Sequence, residues 1–167
     1  MTSKKKPRAE MTEGEVLSEM ELALTVLWNS VHRWVSQRSQ AGNTSALSDL
    51  DVFLLHLLVY RNKQLRAIDL AFALSIDDMH LVSYSLKKLQ RQDLISGSRI
   101  GKEVFYLPTA TGKQHYFAFL EDRQKYLEPS MRFISHEHDL KALNTLLRAL
   151  SGVYEQAARS AASASGL

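Results

Sequence analysis

Among 167 residues there is no cysteine and there are six histidines. Disulfides, thiolate metal sites, cysteine nucleophiles and thiol redox sensing are therefore excluded together. His136-Glu137-His138-Asp139 is the one cluster with the composition of a metal site. On a helix, positions i and i+2 point roughly 200° apart, so His136 and His138 do not converge on one ion, and the stretch reads as a polar helix start. His56 lies in the apolar run from Val52 to Leu58 and reads as a hydrogen-bonded core histidine. The chain has no Gly-x-Ser-x-Gly, P-loop, dinucleotide fingerprint or His-Glu-x-x-His, so neither catalysis nor a cofactor is expected.

What the chain does offer is a concentration of cations and hydrogen-bond donors between residues 61 and 103. Eight basic residues there (Arg61, Lys63, Arg66, Lys87, Lys88, Arg91, Arg99 and Lys102) outnumber five acids. The overall charge of +3 says less, because Lys4, Lys5, Lys6 and Arg8 exceed it by themselves and leave the rest slightly acidic. Reading base edges in a DNA major groove needs a helix that presents donors and acceptors, with cations beside it for phosphates. His80, Ser83 and Tyr84 are the candidates for base edges. Lys87, Lys88 and Arg66 are the candidates for phosphates, and Arg99 and Lys102 sit where a hairpin would approach the duplex. A solvated helix face is the alternative reading of Lys87 and Lys88.

These residues need elements to position them. A short helix is expected from about Ala67 to Leu74, then a turn at Ser75-Ile76-Asp77 with Asp77 as N-cap, then a second helix from Asp78 to about Gln92. In that second helix Met79, Val82, Leu86 and Leu89 form the buried stripe, which leaves His80, Ser83, Tyr84, Lys87, Lys88 and Arg91 outside or flanking. This is a helix-turn-helix outline. Leu94–Ile100 and Glu103–Leu107 follow as two strands around Gly101-Lys102, a wing leaning on the helices through Ile95, Val104 and Tyr106.

Upstream, apolar residues at Leu17, Met20, Leu24, Leu27, Val31 and Trp34 step by three and four along one long helix from Glu13 to about Arg38. A second stripe of Val16, Ala23, Trp28 and Val35 widens its apolar surface. Ser48, with Asp51 three residues on, caps a largely buried helix to about Tyr60. Downstream, Thr109 caps a helix from Ala110 towards Tyr126, Pro129 interrupts it, and a final helix from about residues 135–139 carries Leu140, Leu143, Leu147, Leu150 and Tyr154.

The expected fold class is mainly α with a small β wing. It comprises a basic disordered tail at residues 1–12, one domain at 13–158 with the helix-turn-helix and wing at about 48–108, and a disordered alanine–serine tail at 159–167. The basic N-terminus leads into acids rather than an apolar segment, and no run approaches membrane-spanning length, so a cytoplasmic location is expected. The outer helices offer more apolar surface than one small domain covers, which points to a homodimer with Leu24, Val31, Leu143, Leu147 and Leu150 at or near its interface.

The order of these elements resembles the MarR family of winged-helix regulators over about Glu13 to Ala158. Leu70-Ala71, Val82-Ser83, Leu86-Lys87-Lys88-Leu89, Leu94-Ile95, Thr109-Ala110-Thr111-Gly112 and Asp139-Leu140-Lys141-Ala142-Leu143 carry the resemblance. It implies transcription regulation by a homodimer on double-stranded DNA, and a cleft for a small aromatic effector that Trp28, His32 and Tyr60 are placed to line. Aromatic residues at helical spacing are, alternatively, core. Three features depart from the family pattern. Ser98–Glu103 lacks its Asp-x-Arg, Asp93 stands where a glycine is usual, and Asp77 and Asp78 bring negative charge to the start of the recognition helix. A winged-helix module that binds a protein partner instead of DNA is the other reading.

Overall fold

The computed structural model describes residues 11–41, 47–134 and 137–165. The chain forms two compact units, Met1–Phe117 and Ala118–Leu167. It is mainly helical, with one small antiparallel sheet.

The first unit opens with α1 (Glu13–Ala41), whose N-terminus is closed by Thr12 and Glu15 acting on each other's backbone amides. Full burial is confined to its C-terminal half, at Val35 and Ser39, while Met20, Leu24 and Val31 are half-buried. Helix α2 (Asp49–Arg61) begins with a reciprocal cap. The Ser48 hydroxyl accepts the Asp51 amide at 3.3 Å, and the Asp51 carboxylate accepts the Ser48 amide at 2.8 Å. It ends on Asn62 in the left-handed region, φ 48°. Between these ends Val52, Leu54, Leu55 and Leu58 are fully buried, and they form the centre of the core.

A two-residue strand that the periodicity does not announce, β1 (Leu65–Arg66), leads into α3 (Ala67–Ala73). After a turn, α4 (Met79–Arg91) packs on α2 and α3 through Val82, Leu86 and Leu89. One expectation is corrected at its start. Asp78, not Asp77, is the N-cap, with Oδ1 accepting from the His80 amide at 2.8 Å and the Leu81 amide at 3.4 Å. The helix therefore begins one residue later than the two adjacent acids suggested, because either aspartate satisfies the local rule.

Strands β2 (Ile95–Ile100) and β3 (Glu103–Pro108) form the wing hairpin, turning at Gly101 with φ 63°. Strand β1 pairs on the other side of β3, giving the order β1-β3-β2 with Arg66 opposite Phe105. Ile95 is buried and Tyr106 half-buried as expected, but Val104 is 40% exposed and anchors less than anticipated. Asp93 holds the left-handed conformation that its position demands, φ 55°. Thr109 fastens the base of the wing: its hydroxyl donates to the Asp93 carbonyl at 2.6 Å and accepts the Gly112 amide at 3.0 Å. At Gly112 a Cβ would lie 2.0 Å from the Leu94 carbonyl oxygen, so only glycine lets helix α5 (Ala110–Tyr126) start this close to the wing. The Thr-x-x-Gly spacing thus has two separate physical causes.

In the second unit, α5 ends before Pro129 and α6 (Glu128–Ile134) follows after a break at Leu127. Helix α7 (Glu137–Ala164) is 28 residues long. The alanine–serine stretch expected as a tail from 159 is helical as far as Ala164, which fits the high helix propensity of alanine. Leu140, Leu143, Leu146, Val153 and Tyr154 are exposed along it.

Candidate nucleic-acid interface

Helix α4 divides its side chains by face. Inward go Val82, Ser85, Leu86 and Leu89; outward go His80, Tyr84, Lys87 and Arg91, with Ser83 half-buried between them. Tyr84, Lys87 and Arg91 recur at three and four residues, so they form one stripe. Together with Gln90 they line an open surface depression. Tyr84 is 64% exposed. Gly97 on β2 contributes indirectly, since a Cβ there would lie 2.7 Å from the Gln90 side-chain nitrogen. Gln90 and Arg91 were not among the sequence candidates. The signal for Arg91 was present in the i, i+3, i+7 spacing of Tyr84, Lys87 and Arg91, whereas Gln90 depends on the approach of the wing.

The two remaining cations chosen for phosphates on the helix-turn-helix have partners inside the protein. Lys88 points inward, with Nζ 2.7 Å from the Asp51 Oδ2. Burial would push the Asp51 carboxyl up, but hydrogen bonds from Lys88, Ser85 and Ser48 outweigh it and hold the group below its usual range. Arg66 bridges two carboxylates. Its Nε and Nη2 each donate at 2.9 Å to Asp69, and its Nη1 donates at 2.6 Å to Glu103 beside the wing turn. Hydrogen bonds from the Arg66 side chain and backbone pull Asp69 down to about 2, and the Arg66 guanidinium is held charged beyond its ordinary range. Arg66 thus ties the end of the wing to α3, and its charge is compensated in place. At the wing itself Arg99 and Lys102 are exposed.

Trp28, His32 and Tyr60, expected to line an aromatic cleft, lie on α1 and α2. Trp28 lies against Phe53, ring centroids 5.9 Å apart, and His32 pairs with Asp49 at the start of α2. Tyr60 is seven residues beyond Phe53 on the same helix, about 10 Å along its axis at 1.5 Å per residue. His56 is buried as expected, its ring edge-on to Tyr116 with centroids 5.1 Å apart. His136 lies outside the described residues, as do the side chains of Glu137 and His138 and the basic stretch Lys4–Arg8. Among the described residues no group of three His, Cys, Asp or Glu side chains is placed to hold a metal ion, and no helix is long and apolar enough to cross a membrane.

Residues 47–112 match the family described as winged helix DNA-binding domain. No curated protein sequence matches the chain. Among solved structures, the transcriptional regulator BldR from Sulfolobus solfataricus is similar with a TM-score of 0.69 at 16% identity, over 83% of this chain and 99% of its own. A MarR protein from Peptoclostridium difficile follows at 0.66 and 13%, over 92% and 95%. FabT of Streptococcus pneumoniae, solved in complex with DNA, is similar at 0.64 and 15%, over 84% and 98%. Residues 47–112 thus match a winged helix family, within a fold that the chain shares with MarR-type regulators, as its sequence resemblance implied.

Proposed function

We propose that the chain is a MarR-like transcription regulator that binds duplex DNA as a homodimer, is not an enzyme and works in the cytoplasm, with residues 13–158 acting as one functional domain. The observation that carries this reading is the outward stripe Tyr84, Lys87 and Arg91 on a helix whose other face is fully packed. Such a helix fits a major groove, with Tyr84, His80 and Ser83 towards base edges and Lys87 and Arg91 towards phosphates. Arg99 and Lys102 add wing contacts to the backbone. Arg66 and Lys88 leave the set of phosphate ligands, because each is already matched by carboxylates. Leu17, Leu22, Val26 and Leu27 on α1, and Leu143 and Leu146 on α7, leave uncovered apolar surface on each unit, which supports dimerisation. Mobility shift of randomised duplex fragments tests the reading: binding should weaken steeply with salt, by roughly 0.9 log units of affinity per log unit of salt for each phosphate neutralised. Absence of any shift at low salt sinks it.

A protein-interaction module is favoured by one separate observation. From Ala67 to Leu81 the chain carries no lysine or arginine, Asp69 is matched by the preceding Arg66, Asp77 and Asp78 are exposed, and Phe72 is 87% exposed beside Ile68. This acidic, apolar part of the helix-turn-helix suits a protein better than a phosphate backbone.

A further inference from the structure

Lys87 and Lys88 are adjacent, carry the same charge and point about 100° apart around α4. Lys87 is exposed beside Tyr84 and Arg91. Lys88 is only 22% exposed, and its ammonium meets Asp51, which is 1% exposed. A carboxylate removed from water is tolerated only with compensating charge and hydrogen bonds. Asp51 Oδ2 receives them from the Ser48 amide at 2.8 Å and from the Lys88 ammonium at 2.7 Å, the latter from α4. The rest of the α4 interface is Val82, Leu86 and Leu89, whose burial is favourable but non-directional. A charge-assisted hydrogen bond has a direction, so it can select one rotation of the helix among those an apolar stripe permits.

We infer that Lys88 is a positioning residue: it ties α4 to Asp51 at the start of α2, sets the rotation that turns Tyr84, Lys87 and Arg91 outward, and neutralises no DNA phosphate. This rests on the DNA-binding reading of α4. Its consequence is that two neighbouring lysines affect binding through different observables. Loss of a phosphate ligand reduces the salt dependence, whereas loss of a positioning residue reduces affinity and leaves the salt dependence alone.

The test compares the full-length protein with its Lys87→Met, Lys88→Met, Asp51→Asn and Asp51→Asn/Lys88→Met variants. The probe is the tightest duplex selected by the unmodified protein from a randomised pool, titrated across a salt series, with melting temperatures taken separately without DNA. Lys87→Met should keep the melting temperature and lower the salt slope by about one unit. Lys88→Met should lower the melting temperature and weaken binding about tenfold, with the slope unchanged. The double variant should recover most of both losses, because neither partner is left charged and buried and Asn still accepts the Ser48 amide. A Lys88→Met variant that melts normally and loses one unit of slope would overturn the inference, as would a double variant whose losses simply add. If the unmodified protein selects no duplex, the DNA reading fails, while the melting cycle still decides whether Lys88 holds α4 to α2.

Discussion

Helices α1 and α2 belong to the same unit and are both rich in leucine and valine, yet they end in opposite environments. The 13 residues of α2 are capped at both ends, and four of its aliphatic side chains are fully buried. The 29 residues of α1 bury little beyond Val35, and leave Val16, Leu17, Leu22, Val26, Leu27 and Trp28 half exposed or more. The number of leucines and valines is therefore a poor guide to which helix builds the core, since eight in α1 are spread over more than twice the length that holds seven in α2. The difference lies in density: α2 is apolar on most sides and suits an enclosed position, whereas α1 interleaves its apolar residues with polar ones and suits a partly exposed one.

The largest test of this contrast is Leu55→Ala against Leu27→Ala. Removing a fully buried leucine should cost about 2–5 kcal/mol of unfolding free energy, whereas the exposed Leu27 should cost under about 0.5 kcal/mol in the isolated protomer. Denaturant melts of both variants decide it, and equal losses would mean that α1 is core after all. Under the dimer reading, Val26→Glu should sharpen the contrast by dissociating the dimer while sparing the fold. Light scattering at micromolar concentration would show halved mass with unchanged helical circular dichroism.

Smaller effects belong to the helix ends. Ser48→Ala removes one half of the α2 cap and should cost about 1 kcal/mol. Asp78→Ala should cost a similar amount by uncapping α4, whereas Asp77→Asn should leave thermal stability within about 0.5 kcal/mol and tighten non-specific duplex binding by removing a nearby repulsive charge. Thermal melts paired with mobility shifts separate the two acids, and the opposite pattern would return the cap to Asp77.

The smallest effect concerns pH. Burial, with the charge of Arg38 nearby, holds the His115 imidazole below its ordinary 6.5. The unfolded chain therefore binds the proton more readily than the folded one, and stability should decline as pH falls through about 6.5 towards the lower folded value. His115→Asn should flatten that decline. Urea midpoints at pH 7.5 and 5.5, roughly one unit either side of the ordinary value, measure it, and an unchanged pH dependence would assign the decline to other groups.

Much of this molecule was legible from local pattern. The boundaries of α2 and α3, the Ser48 box, the Thr109 cap and the break before Pro129 follow from interactions within about four residues, which sequence displays directly, and the wing strands from their alternation about the Gly101 turn. The left-handed Asp93 was likewise accessible, since few residues accept that conformation. Strand β1 was not, because two residues show no period and its existence depends on the far edge of β3. Nor was the choice between Asp77 and Asp78, two identical side chains differing by one position.

The allocation of cations was decided by tertiary structure alone. From sequence, Arg66, Lys87 and Lys88 were equivalent candidates for phosphates; in the fold, Arg66 meets Glu103 and Lys88 meets Asp51, each across 37 residues, and Lys87 meets the surface. The helical period determined that α4 would have an inner and an outer face. Which neighbouring lysine fell on which face depended on where α2 had placed a carboxylate that could not be buried uncompensated, and long-range placement of that kind has no signature in residue type or spacing.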